Sequence, residues 1–425
     1  MDSMRGQGGN QNRHAAGTVL QGLRVVDLSM GWAGPLTAML LADFGAEVIK
    51  IESTRHLDWW RGDVLGQATE DRPYEQSAHF NGVNRNKYDM ALDLGDARGM
   101  ALLKRLIAIS DVMVENFTPR VMENFGLTYD VVRTINPSLI MISMPAFGGS
   151  GPWRDYGGFG NTIDPLSGVA GLTGYPDGSP ILASNAYGDP VAGVGGAIGV
   201  LMALVHRSRT GLGQHIELSH QELVVHHVAY SLLDYAMNGR NHGRRGNRHP
   251  WMAPHGIYPC MGEEQWIAIA VASDEEWRAL CATMDHLEAA TDERFADGPG
   301  RWHYQDELDD LLATWTAKWR KEELAERLQQ AGISAEPVNS SEEVIEDSQI
   351  RALGSFVWMD RKYVGHHPYP GVTARLTATP GAIYMPAPVL GEHNSFVLAE
   401  LLGVAKAELE VLSQDGIIGS EAESA

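Results

Sequence analysis

Asp189 is the residue whose setting most directly suggests chemistry. It stands in Tyr187-Gly188-Asp189-Pro190, ahead of a glycine-rich apolar run that reaches about Arg209. Asp-Pro at the start of a helix is also an ordinary N-cap followed by proline at the first helical position. The same placement suits a reactive carboxylate, because the helix N-terminus stabilises both the anion and negative charge developing beside it. Gly188 and Gly193 let a ligand approach the backbone closely. Spacing alone leaves both readings open.

Other familiar chemistries find little support. The turn after the first strand reads SMGWAGP and lacks the G-x-G-x-x-G that cradles a dinucleotide pyrophosphate. His220, His226 and His227 share one helical segment, but without H-x-x-x-H spacing or a carboxylate-rich neighbour. They read as structural or surface residues, and no metal site is expected. Ser143 and Ser150 lie in no G-x-S-x-G elbow.

The elements that must position Asp189 begin at Leu23, where LRVVDLS reads as a short buried strand. A small-residue turn (31–35), the helical run LTAMLLADFG and the strand EVIKIE (47–52) follow. Strand, helix and strand within about 30 residues make a parallel, right-handed βαβ unit. The pattern recurs as strand 88–94, helix 95–110, strand 111–117 and strand 138–144. The helix from Asp189, the turn TGLGQ, the strand HIELS and a helix over 220–238 complete this half. The expected fold class is α/β: a Rossmann-like parallel-sheet large domain plus a smaller α+β domain. Residues 1–18 read as a flexible tail, 19–238 as the large domain and 239–335 as the small one. Residues 336–425 form a C-terminal segment returning to the large domain, ending in a capped helix within 387–403.

Bulk properties narrow the partners. With 33 Lys and Arg against 54 Asp and Glu, the formal charge of −21 argues against a nucleic-acid surface. Only Cys260 and Cys281 are present, which fits a reducing compartment and makes the cytoplasm the expected location. The polar N-terminal stretch lacks the apolar core of a secretory signal. The apolar stretch Val194–Val205 falls short of the roughly 20 residues a membrane span requires, so no membrane partner is expected.

Several segments in order resemble the class III (CaiB/BaiF) CoA-transferase family, from about residue 20 to 403. GLRVVDLSMGWAGPLTAMLLADFGAEVIKIE resembles its first βαβ unit, and NRNK (84–87) its N-x-N-K segment. VENFTPRVMENFGL (114–127) is similar to its ENF-x-PG segment, and YGDPVAGVGGAIGVLMALVHRSRTGLGQHIELS to the stretch bearing the catalytic aspartate. AGISAEPVNSSEEV and APVLGEHNSFVLAELLG fall in place further on.

The resemblance implies that Asp189 is that aspartate. It also implies open-ring protomers interlocked as a homodimer, or as a heteromer with a related chain, and acyl-CoA and a carboxylic acid as substrates without a permanently bound cofactor. Lys87, Asn116 and Phe117 match positions along the family's CoA channel, and Trp32 and Arg120 are placed with them as coenzyme contacts. Gly188, Phe159 and the arginines of GRRGNRHPWMAPHG, namely Arg244, Arg245 and Arg248, are assigned to the substrate pocket or its lid. Trp32 stands where formyl-CoA transferases of the family carry Gln, and Ser53 and Asn124 where they carry Arg. Gly160 replaces an acid.

Through Asp189 the implied reaction passes by mixed anhydrides and an aspartyl-CoA thioester. Trp32, Trp59, Trp60 and Trp153 lean the acid substrate toward a larger, partly apolar or aryl-substituted one. The family's racemases use a histidine that aligns with Phe159, which cannot transfer a proton. The other alternative is a CoA-binding subunit of a heteromeric transferase.

Overall fold

In a computed structural model, which describes residues 17–62, 72–183 and 186–423, the apolar strand runs assemble side by side. β1 (Arg24–Asp27), β2 (Glu47–Glu52), β3 (Lys87–Ala91), β4 (Val112–Glu115), β5 (Ile140–Ser143) and β6 (His215–Glu217) form one sheet in the order β3-β2-β1-β4-β5-β6. Every neighbouring pair is parallel. Most of the expected N-terminal tail, residues 1–16, lies outside the described residues.

Both faces of the sheet are buried from β1 to β5, which is why β1, β4 and β5 read as continuous apolar runs rather than alternating ones. Val25, Val48, Val112 and Ile140 face the helices Ala33–Asp43 and Gly188–Thr210 through Ala38, Leu41, Ala192 and Val200. Their neighbours Val26, Ile49, Met113 and Met141 face the opposite way, against Leu103 and Leu106 of the helix Ala97–Ala108. Val397, Leu398, Leu412 and Ile417 fill the same side. The C-terminal segment also covers the β3 edge. Asn394 Oδ1 accepts from Ala91 N, and the His393 backbone N–H donates to Asp89 O. An open edge of unpaired backbone groups is thereby closed.

The chain divides into two compact units, residues 1–169, 182–239 and 352–425 in the first, and 170–181 with 240–351 in the second. The second holds the antiparallel sheet β7 (His255–Pro259), β8 (Trp266–Ala270) and β9 (Ser334–Pro337) against helices. Its core centres on Trp277, Leu280, Leu308 and Leu324. Cys260 and Cys281 are buried there, and burial pushes their thiols up to about 11 and about 12.

Three local expectations need correction. The helix expected over 220–238 is two, His220–His227 and Ala229–Asn238, divided at Val228. The C-terminal stretch holds a six-residue π-helix, Phe396–Leu401, with no side-chain cap; Asn394 before it is committed to Ala91 and Gly419 instead. The helix Gly188–Thr210 is longer than the apolar stretch inside it, and by length and composition alone it could cross a membrane. Its Gly193 and Gly196 lie flush on the helix Ala33–Asp43: a Cβ would sit 2.7 Å from Leu36 Cδ2 and 2.5 Å from Thr37 Oγ1 respectively.

Candidate active site

The first turn of the helix Gly188–Thr210 leaves backbone N–H groups without intrahelical partners. Asp189 does not cap them. Asp164, in the helix Gly160–Leu166, does: its Oδ2 accepts from Tyr187 N at 2.8 Å and its Oδ1 from Gly188 N at 2.9 Å. The N-cap reading of Asp189 is therefore overturned. Asp189 is the second residue of the helix and caps neither of these donors; its carboxylate instead meets the Gly160 N–H at the start of the helix Gly160–Leu166.

What surrounds that carboxylate is close and largely dry. Its side chain is 17% exposed. Burial pushes its carboxyl up to about 6, the Gly160 N–H opposes the shift, and the Asp164 charge adds to it. Gly160 is needed for this approach, since a Cβ there would lie 2.2 Å from Asp189 Oδ2 and 2.1 Å from Ala186 Cβ. His220, the first residue of its helix, brings Nδ1 to 3.8 Å from Asp189 Oδ1. Burial lowers its imidazole to about 4, so the pair is not an ion pair at neutral pH.

Beside Gly160, Phe159 is 60% exposed and meets Trp59, itself 47% exposed, edge to face at 5.5 Å. Trp59 lies across Gly31, whose φ of +76° and lack of a Cβ both admit the ring. Trp32 and Trp60 continue the aromatic cluster at 5.2 Å. The loop after β1 that carries Gly31 is pinned from three sides. Asp58 Oδ1 accepts from Gly31 N at 2.9 Å while Oδ2 pairs with buried Lys50 at 2.9 Å. Lys50 Nζ donates to Ser29 O. Asn116 accepts from Met30 N and donates to Met30 O.

Lys87, which the family resemblance assigns to the CoA channel, has its ammonium fully engaged within the protein. It is fully buried, and its Nζ spends three donors on Asp27 Oδ2, Pro35 O and Asn84 Oδ1, each at 2.8 Å. Burial lowers its pKa to about 8 against the pull of Asp27. Its place is beneath the β1 loop. Phe117 instead lines a cavity of about 840 Å³ with Met30, Ser53, Arg55, His56 and Phe125. This cavity opens at the carboxyl ends of β1, β2 and β4, where the strand order reverses, the usual ligand position in open α/β sheets. Arg120 is exposed in the first turn of the helix Pro119–Phe125.

In the second unit the lid arginines already have partners. Arg244 donates to Tyr175 O and Gly178 O, and Arg245 meets His242 Nδ1. Arg248 is paired with Asp306 and Asp309.

Sequence reasoning missed three residues of this region. Asp164 gave no signal because its partners lie more than twenty positions away. His220 was set aside with its helix neighbours as a bland histidine, and Arg55 lies two residues past Ser53, the position that the family resemblance singles out.

A six-stranded doubly wound sheet, with an open cavity at its switch point and a sequestered carboxylate in the first turn of a long helix, is the layout of an α/β enzyme. The chain belongs to CoA-transferase family III, whose family model matches residues 20–394. It is 34% identical to a succinyl-CoA–D-citramalate CoA-transferase of Chloroflexus aurantiacus, over 94% of this chain and 98% of that one. It is also 34% identical to a succinate–glutarate CoA-transferase of Agrobacterium fabrum, over 90% and 95%. A solved CaiB/BaiF family protein from Brucella suis superposes with a TM-score of 0.83 at 32% identity, covering 91% of this chain and all of that one. The enzyme moves CoA between carboxylic acids, with CoA thioesters as its substrates.

Proposed function

We propose that Asp189 is the nucleophile of this transfer and carries CoA as an aspartyl thioester. The observation behind this reading is the division of labour at the helix start: Asp164 takes both backbone donors, leaving Asp189 uncapped, largely buried and next to Gly160. A carboxylate oxygen of Asp189 attacks the donor thioester carbonyl, the C–S bond breaks, and CoA leaves as thiolate. The thiolate attacks the aspartyl carbonyl of the mixed anhydride and displaces the donor carboxylate. The acceptor carboxylate attacks the aspartyl thioester and expels CoA thiolate, which then attacks the acceptor side of the second anhydride. Asp189 is regenerated, and no proton is consumed.

The cavity of about 840 Å³ at the switch point suits the coenzyme, with Phe117 and Phe125 for its aromatic and apolar parts and His56 at hand for phosphate, while Arg55 in the same lining is held by Asp93 and Glu423. Trp32 and Asn116 shape the β1 loop beside it, and Arg120 at the surface is available to an outer phosphate. Succinyl-CoA is the proposed donor. The exposed Trp59–Phe159 pair next to Gly160 favours an acceptor dicarboxylic acid with an apolar substituent. Arg248, held by Asp306 and Asp309, drops out of the proposed substrate set. We place the enzyme in the cytoplasm, where CoA thioesters are exchanged and its two buried thiols stay reduced, and read it as a homodimer.

Steady-state transfer from succinyl-CoA to a panel of substituted dicarboxylic acids tests the proposal. Asp189→Asn should lower kcat by more than about 1,000-fold while leaving the fold at least as stable at neutral pH. A variant that retains transfer within about tenfold of the parent contradicts it.

A further inference from the structure

His220 is a buried polar side chain that the transfer chemistry above leaves unused. It is 4% exposed at the start of its helix, where Ser219 supplies the cap by accepting from Glu222 N. Among the described residues neither ring nitrogen completes a hydrogen bond, although the Met144 carbonyl is close enough to favour the protonated ring slightly. A buried polar group without a partner is costly, so an apolar residue would serve packing better unless the ring has other work. The nearby reactive group is Asp189, whose Oδ1 lies 3.8 Å from Nδ1.

We propose that His220 is the oxyanion donor for the steps in which Asp189 is the group attacked, its Nδ1–H closing on Oδ1 as charge builds there. This rests on the aspartyl-transfer reading. Once Oδ2 has been acylated, Oδ1 is the carbonyl oxygen of the aspartyl group. Attack of CoA thiolate on Cγ forms the C–S bond and moves an electron pair onto Oδ1. That pair returns to re-form C=O as the bond from Cγ to the bridging Oδ2 breaks, Oδ2 departing within the donor carboxylate. His220 keeps its proton throughout. A neutral donor suits this role. A cation would bind the resting carboxylate and blunt its attack, whereas a neutral N–H at 3.8 Å strengthens chiefly as charge develops. Separations this long in a free enzyme commonly tighten along the reaction path.

The test uses the full chain with succinyl-CoA, rapid quenching and intact-protein mass spectrometry, which separates an acyl adduct (anhydride) from a CoA adduct (thioester). H220L and H220M remove the donor while filling the space; H220N keeps an N–H near the Nδ1 position. Thermal melts confirm folding, and should one apolar variant fail to fold the other carries the comparison. The expected result is CoA-adduct formation slowed about 100-fold or more in H220L and H220M, with acyl adduct accumulating, KM for succinyl-CoA changed less than about threefold, and at least tenfold recovery in H220N. CoA adduct forming at the parental rate in a folded apolar variant, or no recovery in H220N, overturns the role of His220. Absence of any adduct in the unsubstituted enzyme overturns the aspartyl reading itself, and this inference with it.

Discussion

Burying a carboxylate has a cost that Asp189 exposes directly. Burial raises its pKa to about 6, so its proton is held more tightly in the folded chain than in the unfolded one. Stability from this group is present below the ordinary carboxylate value near 3.8 and is lost as pH rises through about 6. The ionised form appears over the same interval, so reactivity rises as that stability falls. We expect kcat/KM for the donor thioester to climb with pH through a limb near 6, and Asp189→Asn to be stabilised at pH 7 by up to about 3 kcal/mol. A flat profile between pH 5 and 7 in a folded enzyme would contradict the assignment. The residue-level reading from sequence reached Asp189 because helix, proline and family pattern converge there. It missed Asp164 and His220 because their significance is a distance across the fold, and a motif position does not reveal that three acceptors already surround the Lys87 ammonium.

Among elements, the relation between the helices Gly160–Leu166 and Gly188–Thr210 decides the geometry. One supplies the cap of the other through a carboxylate, and Gly160 abuts the reactive side chain without room for a Cβ. Asp164→Ala should leave the Tyr187 and Gly188 donors unsatisfied, cost about 1–2 kcal/mol in denaturant melts and lower kcat as the first turn loosens. Asp164→Asn removes the like charge while keeping an acceptor, so the limb near pH 6 should move to lower pH; a shift upward would mean that Asp164 is not raising the Asp189 value. The strands themselves were legible because sheets buried on both faces leave unbroken apolar runs. Their spatial order was legible only as a βαβ preference, and the closure of the β3 edge by Asn394 and His393 was not, since it depends on contacts some 300 positions apart. The break at Val228 and the π-helix near the C-terminus likewise leave no mark in apolar periodicity.

For the whole molecule, the informative feature is apolar surface left uncovered. Val194, Ile198, Leu201, Met202 and Val205 form an exposed stripe on the same helix that starts with Asp189, and Tyr230, Leu233 and Met237 are exposed on the helix Ala229–Asn238. Patches of this kind mark association surfaces. Sedimentation velocity at micromolar concentration should therefore give a dimer, and Ile198→Glu with Met202→Glu should shift it to monomer; a monomer from the unsubstituted chain would point to a missing, non-identical partner. The role of Asp189 is open to direct chemical trapping. The enzyme is incubated with succinyl-CoA without acceptor, treated with borohydride or hydroxylamine, digested, and searched by mass spectrometry for the modified peptide. One modification is expected, on Asp189, and none in Asp189→Ala. Modification of another residue, or none while acceptor-dependent transfer proceeds, would contradict it.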